Sequence, residues 1–106
     1  MIAGYGVRTS DERCPAIHPI ECRGYCTDVF FNQAMRWIQT AKGRQPFFAM
    51  ITPNAPHAPL VVAEQYEKMY ADKVPAATAK FFGMIANLDE NVGKLLAMLK
   101  EEGLER

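Results

Sequence analysis

The sequence has no excess of charge of either sign. Lys and Arg together number 12, as do Asp and Glu, so the formal net charge is zero. This balance removes the electrostatic reason to expect binding to nucleic acid or to an anionic membrane surface. No apolar run reaches membrane-spanning length, and residues 1–6 lack the basic region and apolar stretch of a signal peptide. We therefore expect no nucleic-acid partner and no membrane span in this segment.

Two catalytic signatures are missing as well. There is no glycine-rich phosphate loop, and no serine lies in a G-x-S-x-G turn. Cysteine is scarce, since Cys14, Cys22 and Cys26 are an odd number for a disulfide framework. Apolar residues, in contrast, make up 49% of the 106 residues, which is enough for the packed core of one small domain.

The first part of the chain predicts one helix. Residues 1–23 contain glycine and proline without a sustained period, which predicts an irregular segment. Residues 28–42 predict an amphipathic helix with Thr27 as its N-cap and Gly43 as the residue that ends it. Its expected apolar stripe comprises Phe30, Ala34, Trp37, Ile38 and Ala41.

The last part of the chain predicts two more helices. Residues 61–72 indicate a short helix, and residues 76–102 indicate a long helix that follows Pro75 and ends at Gly103. The stripe of the long helix that we expect to face the core comprises Phe81, Ile85, Leu88, Val92, Leu95, Leu96 and Leu99.

A short apolar run, residues 46–52, lies between these helices, with Pro46 at its entry and Pro53 at its exit. Such runs fit a strand buried on both faces of a parallel sheet, so the element order predicts part of an α/β layer fold. A buried strand needs partners on both sides, and the sequence offers no second strand. We therefore expect a piece of a larger domain, and we expect self-association of the chain alone.

Three prolines in residues 53–60 predict a loop, because proline excludes both helix and ladder. In α/β sheets, ligands bind at the loops that leave the carboxyl ends of strands. His57 lies in this loop between Pro56 and Pro59, which limit its backbone freedom. Its imidazole could bind an anion or transfer a proton. Without further information, a histidine in such a loop more often has a surface or packing role.

Two other clusters contain residue types that can bind metals or transfer protons. Cys14, His18, Cys22 and Cys26 follow one another at equal four-residue steps, whereas structural zinc sites usually pair closely spaced ligands across a longer gap. We therefore expect a loop with reduced or incidentally oxidised thiols. A second cluster, Asp89, Glu90 and Asn91, lies within the long helix and predicts a solvated helix face.

Three stretches, in this order and spacing, resemble the sulfatases of the alkaline-phosphatase-like superfamily. Residues 24–30 are similar to the family's Y-x-T-D helix start, which precedes a P-F-F strand. Residues 54–60 are similar to its N-x-P-H-x-P loop. A tyrosine follows at Tyr66, although Ala63 stands where the family commonly has proline. Residues 85–96 are similar to its N-L-D-x-x-V-G-x-L-L helix.

The resemblance implies that residues 24–106 are an internal part of a sulfatase catalytic domain, with a sulfate ester as the substrate. It implies that His57 is a catalytic and substrate-binding residue that holds the sulfate or protonates the leaving group. It also implies a formylglycine, made from the Cys or Ser of a C/S-x-P-x-R motif, and a calcium ion in the intact enzyme. Such enzymes are often periplasmic, secreted or lysosomal, which leaves localisation open.

The chain departs from the family pattern at the nucleophile. No C/S-x-P-x-R motif begins at Ser10, Cys14, Cys22 or Cys26, and the family's metal-binding Asp and Asn residues are missing. We therefore expect no cofactor bound by this segment and no activity of the chain alone. Two alternatives stay open: a phosphodiesterase or phosphonate hydrolase of the same superfamily, and a non-catalytic helical interaction module.

Overall fold

The computed structural model describes residues 23–105, and these residues form three helices. Helix α1 spans Cys26–Ala41, α2 spans Glu64–Lys68 and α3 spans Ala76–Glu101. Both α1 and α2 pack against α3, which is therefore the centre of the arrangement. None of these helices is long and apolar enough to cross a membrane. The segment predicted to be irregular lies almost entirely outside the described residues.

The two long helices were predicted to within two residues at each end. Gly43 and Gly103 adopt φ angles of 74° and 67°, the left-handed conformation expected just beyond a helix terminus. The predicted N-cap of α1 is wrong, because Tyr25 holds that position with an extended backbone. Thr27 lies inside the first turn instead, where its side chain is only 1% exposed. It therefore contributes to packing in place of capping.

The short helix is shorter than the sequence indicated. α2 has five residues and is followed by turns that reach Lys73. In these turns the amides of Met69 and Tyr70 donate to the carbonyls three residues before them, at 3.3 and 3.1 Å. This tighter pattern follows directly after the end of α2, so the apolar spacing of residues 61–72 does not extend into a full helix.

The face that α3 turns to the core differs from the predicted one. The large apolar residues of the predicted stripe are partly exposed, including Ile85 at 40% and Leu96 at 57%. The buried residues of α3 have small, amide or methionine side chains: Ala79, Gly83, Met84, Asn87, Asn91 and Met98. Ala79, Gly83, Asn87 and Asn91 follow one another at four-residue steps. The predicted stripe was wrong because small residues permit close helix approach and the asparagines satisfy one another and α1 by hydrogen bonds.

The buried strand predicted at residues 46–52 is not confirmed. These residues carry no strand assignment in the structure, and Phe48 and Met50 are 85% and 75% exposed. At the start of the segment, Phe47 packs edge-on against Trp37 with ring centroids 5.5 Å apart. A strand exists only where a neighbouring strand accepts its backbone bonds, and residues 23–105 provide no such neighbour.

At Gly83, α3 lies close to the chain around α2. A Cβ atom at this position would lie 3.1 Å from the backbone nitrogen of Glu67, the carbonyl carbon of Tyr66 and a methyl carbon of Val62. At this distance a side chain would require the neighbouring backbone to shift by a few tenths of an ångström. Glycine therefore allows the residues that follow the proline loop to lie directly on α3.

Candidate functional site

The proline loop has a defined local shape. Residues 53–60 are neither helix nor strand, which confirms the loop prediction. The backbone amide of His57 donates to the carbonyl of Asn54 over 3.0 Å, which closes a turn around Ala55 and Pro56. His57 thus lies at the end of a hydrogen-bonded turn, with its side chain exposed to solvent.

The imidazole of His57 is oriented by its own loop. Its Nδ1 atom lies 2.6 Å from the carbonyl oxygen of Ala58. A carbonyl oxygen can only accept a hydrogen bond, so Nδ1 carries the proton in this contact. The neutral ring therefore presents Nε2 as an acceptor, and the protonated ring presents Nε2–H as a donor. Nε2 is thus the atom available to a ligand.

The exit of the proline loop is tied to the start of α1. The hydroxyl of Tyr25 donates to the carbonyl of Val61 over 2.8 Å, across 36 positions of sequence. Burial raises the pKa of the Tyr25 hydroxyl, and the negative charge of Asp28 raises it further. The hydroxyl accordingly stays protonated, and able to donate, throughout the neutral pH range.

A polar cluster beside Tyr25 joins α1 to α3. Asp28 Oδ1 accepts hydrogen bonds from the side-chain amides of Asn87, at 2.9 Å, and Asn91, at 2.8 Å. The Asn91 amide also donates to the backbone carbonyl of Asn87 at 2.9 Å. Both asparagines are 1% exposed. The prediction of a solvated face is therefore wrong for Asn91, and it is confirmed for Asp89 and Glu90, which are exposed.

Sequence reasoning missed this cluster, although a signal was present. Asn87 and Asn91 stand four residues apart, continuing the small-residue spacing of Ala79 and Gly83. Positions four apart lie on one face of a helix. A repeat of alanine, glycine and asparagine on one face indicates a close helix contact with internal hydrogen bonds, as the structure shows.

A second polar contact ties α2 to α3. The hydroxyl of Tyr66 donates to Glu90 Oε2 over 2.6 Å, and Lys94 forms an ion pair with Oε1 of the same carboxylate at 2.8 Å. The hydrogen bond from Lys94, followed by that from Tyr66, holds the pKa of the Glu90 carboxyl below its ordinary value. An open cleft of about 560 Å³ lies beside this contact; its lining comprises Tyr66, Met69, Tyr70, Ile85, Ala86, Asp89 and Glu90.

The structure does not assemble a metal site from the residues that it describes. Within residues 23–105, no three His, Cys, Asp or Glu side chains are grouped so that they could hold an ion. Of the evenly spaced cysteine and histidine set, Cys14, His18 and Cys22 lie outside the described residues. Cys26 begins α1 and is partly buried. The described residues therefore provide no ligand set for the calcium ion that the resemblance implies for the intact enzyme.

Comparison with known proteins identifies the family. The family model described as Sulfatase matches residues 2–106. Human N-acetylglucosamine-6-sulfatase is 39% identical over 46 residues, which cover 43% of this chain and 8% of that protein. Mouse N-acetylgalactosamine-6-sulfatase is 27% identical over 81 residues, which cover 76% of this chain and 14% of that protein. The chain thus spans a small part of the length of these relatives.

A solved structure is also similar to this chain. The crystal structure of Ps i-CgsB in complex with k-i-k-neocarrahexaose superposes with a TM-score of 0.76 at 27% sequence identity. The match covers 82% of this chain and 20% of that one. Sulfatases are hydrolases of sulfuric esters. The match to the family model over nearly the whole chain shows that this protein belongs to the sulfatase family.

Proposed function

We propose that this segment supplies His57 to the sulfate-binding active site of a sulfuric ester hydrolase. The observation that carries the proposal is the proline loop, where the family's P-H-x-P motif is an exposed turn with a fixed imidazole. Under this proposal, residues 24–106 are an internal part of the catalytic domain, and the substrate is a sulfate ester.

The orientation of the ring suggests how His57 acts. Because Nδ1 is occupied by the Ala58 carbonyl, ligand chemistry passes through Nε2. In the imidazolium form, Nε2–H donates to a sulfate oxygen or delivers a proton to the ester oxygen of the leaving alcohol. A fixed ring loses little rotational freedom on binding, which favours a positioned donor over a mobile one.

The remainder of the active site would come from outside the described residues. A calcium ion and a formylglycine, as implied for the family, would supply charge neutralisation and the nucleophile in the intact enzyme. Because the sequence has no C/S-x-P-x-R motif to supply the nucleophile, the chain alone is expected to be inactive. Turnover of an aryl sulfate by the chain, above that of its His57→Ala variant, would contradict this expectation.

The names of the relatives suggest a class of substrate. The curated relatives reported above are named for 6-sulfated amino sugars, and the structural relative was crystallised with an oligosaccharide. We propose sulfated carbohydrate as the first substrate class to test, ahead of aryl or steroid sulfates.

The exposed segment at residues 46–52 also has a proposed role in the intact domain. We propose that it forms a buried strand of an α/β sheet there, since Phe48 and Met50 would otherwise leave two large apolar side chains in water. When the chain is alone, the same groups favour self-association, which sedimentation at rising protein concentration tests.

The decisive experiment replaces His57 in a sulfatase that contains this whole segment. We expect His57→Ala to lower kcat/KM for a sulfated sugar by roughly 10²- to 10⁴-fold, as for loss of a proton-transfer group. Lys73→Ala, which removes an exposed cation between α2 and α3, is the matched control and should leave kcat/KM unchanged. Full activity of His57→Ala would overturn the proposal.

A further inference from the structure

We infer that Tyr25 is a positioning residue for His57, because its hydroxyl fixes the exit of the proline loop to the helical core. The inference rests on the proposed role of His57 and adds a residue that touches neither substrate nor the reacting atoms. Tyr25 stands 32 positions before His57 in sequence, so its role follows from the folded contact alone.

The hydrogen bonds within the loop leave its position undetermined. The amide of His57 bonds to Asn54, and the ring bonds to Ala58. Both bonds shape the loop, but neither joins it to a helix. The bond from Tyr25 to the Val61 carbonyl does so, only four residues beyond His57. Since Pro59 restricts the chain between these two points, fixing Val61 also limits where His57 can lie.

The adjoining residue is held from a second direction. Val62 lies against α3 at Gly83, where its methyl carbon would be 3.1 Å from an added Cβ atom. Val61 is therefore tied to α1 by a hydrogen bond, while Val62 contacts α3 by packing. Two consecutive residues held by two helices determine both the position and the direction of the chain that leaves the loop.

Tyr25 is itself rigidly placed. It is the N-cap of α1, and Asp28, one turn later, is bonded to Asn87 and Asn91 of α3. A continuous set of contacts thus runs from the core of α3 through the first turn of α1 to the Tyr25 hydroxyl, and from there to the loop. Loss of the hydroxyl would break this set at its last step and leave the helices in place.

The test uses Tyr25→Phe, which keeps the ring and removes the hydroxyl. In the chain, we expect backbone amide order parameters at Asn54, His57, Ala58 and Leu60 to fall from about 0.85 to below about 0.6, with those of α1 and α3 unchanged. Tyr66→Phe is the matched control, because its hydroxyl bonds to Glu90 and not to the loop. Unchanged loop order in Tyr25→Phe would overturn the inference.

Kinetics in the intact enzyme separate positioning from a general structural role. We expect Tyr25→Phe to lower kcat/KM by roughly tenfold to 10²-fold when His57 is present, as for a misplaced catalytic group. In the His57→Ala background, the same substitution should have no further effect. An equal loss in both backgrounds would overturn the positioning role.

The two experiments also keep the inference apart from the proposed function. If His57→Ala retains full activity, the proposed function fails, whereas the loop order parameters still show whether Tyr25 holds the loop. If His57→Ala is impaired and Tyr25→Phe is not, the proposed function stands and the positioning role of Tyr25 is refuted.

Discussion

The side-chain amide of Asn91 donates to the carboxylate of Asp28 over 2.8 Å and joins the middle of α3 to the first turn of α1. Both groups come from stretches that resemble sulfatase motifs, the Y-x-T-D start and the N-L-D-x-x-V-G helix. The resemblance alone did not indicate that these two motifs contact each other. In the folded chain they are two halves of one hydrogen-bonded contact, and this contact places Tyr25 beside the proline loop.

Loss of the Asn91 amide should destabilise the fold. Asn91→Ala leaves Asp28 with one fewer donor and leaves a gap at a position that is 1% exposed. We expect the free energy of unfolding to fall by roughly 1–3 kcal/mol, measured by urea denaturation. Asn32→Ala, at an exposed position of α1, should change it by less than about 0.5 kcal/mol.

A double-mutant cycle isolates the contact itself. Asp28→Ala and Asn91→Ala, made singly and together, should show a coupling free energy of about 0.5–3 kcal/mol, as expected for residues in one hydrogen-bonded network. Additive effects would mean that the amide and the carboxylate do not act on one another in solution.

Two glycines of α3 should respond in opposite directions to the same substitution. Gly83→Ala places a methyl group 3.1 Å from the backbone of α2, whereas Gly93 has no neighbour within 4 Å of an added Cβ atom. Alanine favours a helix over glycine by up to about 1 kcal/mol, so Gly93→Ala should stabilise the fold. Gly83→Ala should destabilise it by roughly 1–3 kcal/mol through overpacking. Equal stabilisation by both would show that α2 yields readily at Gly83.

The ends of the two long helices were predictable, whereas counting apolar residues did not identify the buried face of α3. Gly43 and Gly103 end helices through a local property, their access to positive φ, and this is visible in the sequence. The buried face depends on which helix lies opposite. Counting apolar residues therefore selected Ile85 and Leu96, whereas close approach and hydrogen bonding selected Gly83 and Asn91.

The candidate site also has one part that the sequence predicts and one part that it does not. Prolines on both sides of His57 exclude regular structure, so the loop itself was predictable from its composition. The bond that anchors the loop joins Tyr25 to a backbone carbonyl 36 positions later. Every residue has a backbone carbonyl, so no sequence pattern indicates which carbonyl accepts this bond. The predicted strand depends on neighbours that residues 23–105 do not include.

The acid titration of Glu90 should report the contact between α2 and α3. Its pKa is lowered from the ordinary value of 4.5 chiefly by the hydrogen bond from Lys94 and then by that from Tyr66. Because the pKa is lowered in the folded state, the contact stabilises the fold at pH values above the ordinary pKa of Glu90. This stabilisation is lost as the pH falls through the folded-state pKa. We expect Lys94→Ala to raise the pKa of Glu90 more than Tyr66→Phe does, measured by NMR of the carboxyl carbon.

The matched control for this titration is another pair with the same spacing. Lys68 and Glu64 form an ion pair at 2.6 Å within α2, also four residues apart. Lys68→Ala should leave the titration of Glu90 unchanged. A comparable shift in both variants would indicate that long-range charge, and not the direct hydrogen bond from Lys94, sets the pKa of Glu90.

Self-association of the chain should depend on the two exposed apolar side chains of the predicted strand. Phe48 and Met50 are 85% and 75% exposed. Burial of such large apolar groups against a second copy lowers the free energy. We expect the Phe48→Lys/Met50→Lys double variant to weaken association by at least about tenfold in sedimentation velocity, equivalent to about 1.4 kcal/mol.

The Ala49→Lys/Thr52→Lys variant adds the same charge at exposed positions and keeps both apolar groups. It should weaken association less, because it leaves the apolar contact intact. Equal weakening by both variants would assign the effect to charge, and a strictly monomeric parent chain at high concentration would contradict self-association altogether.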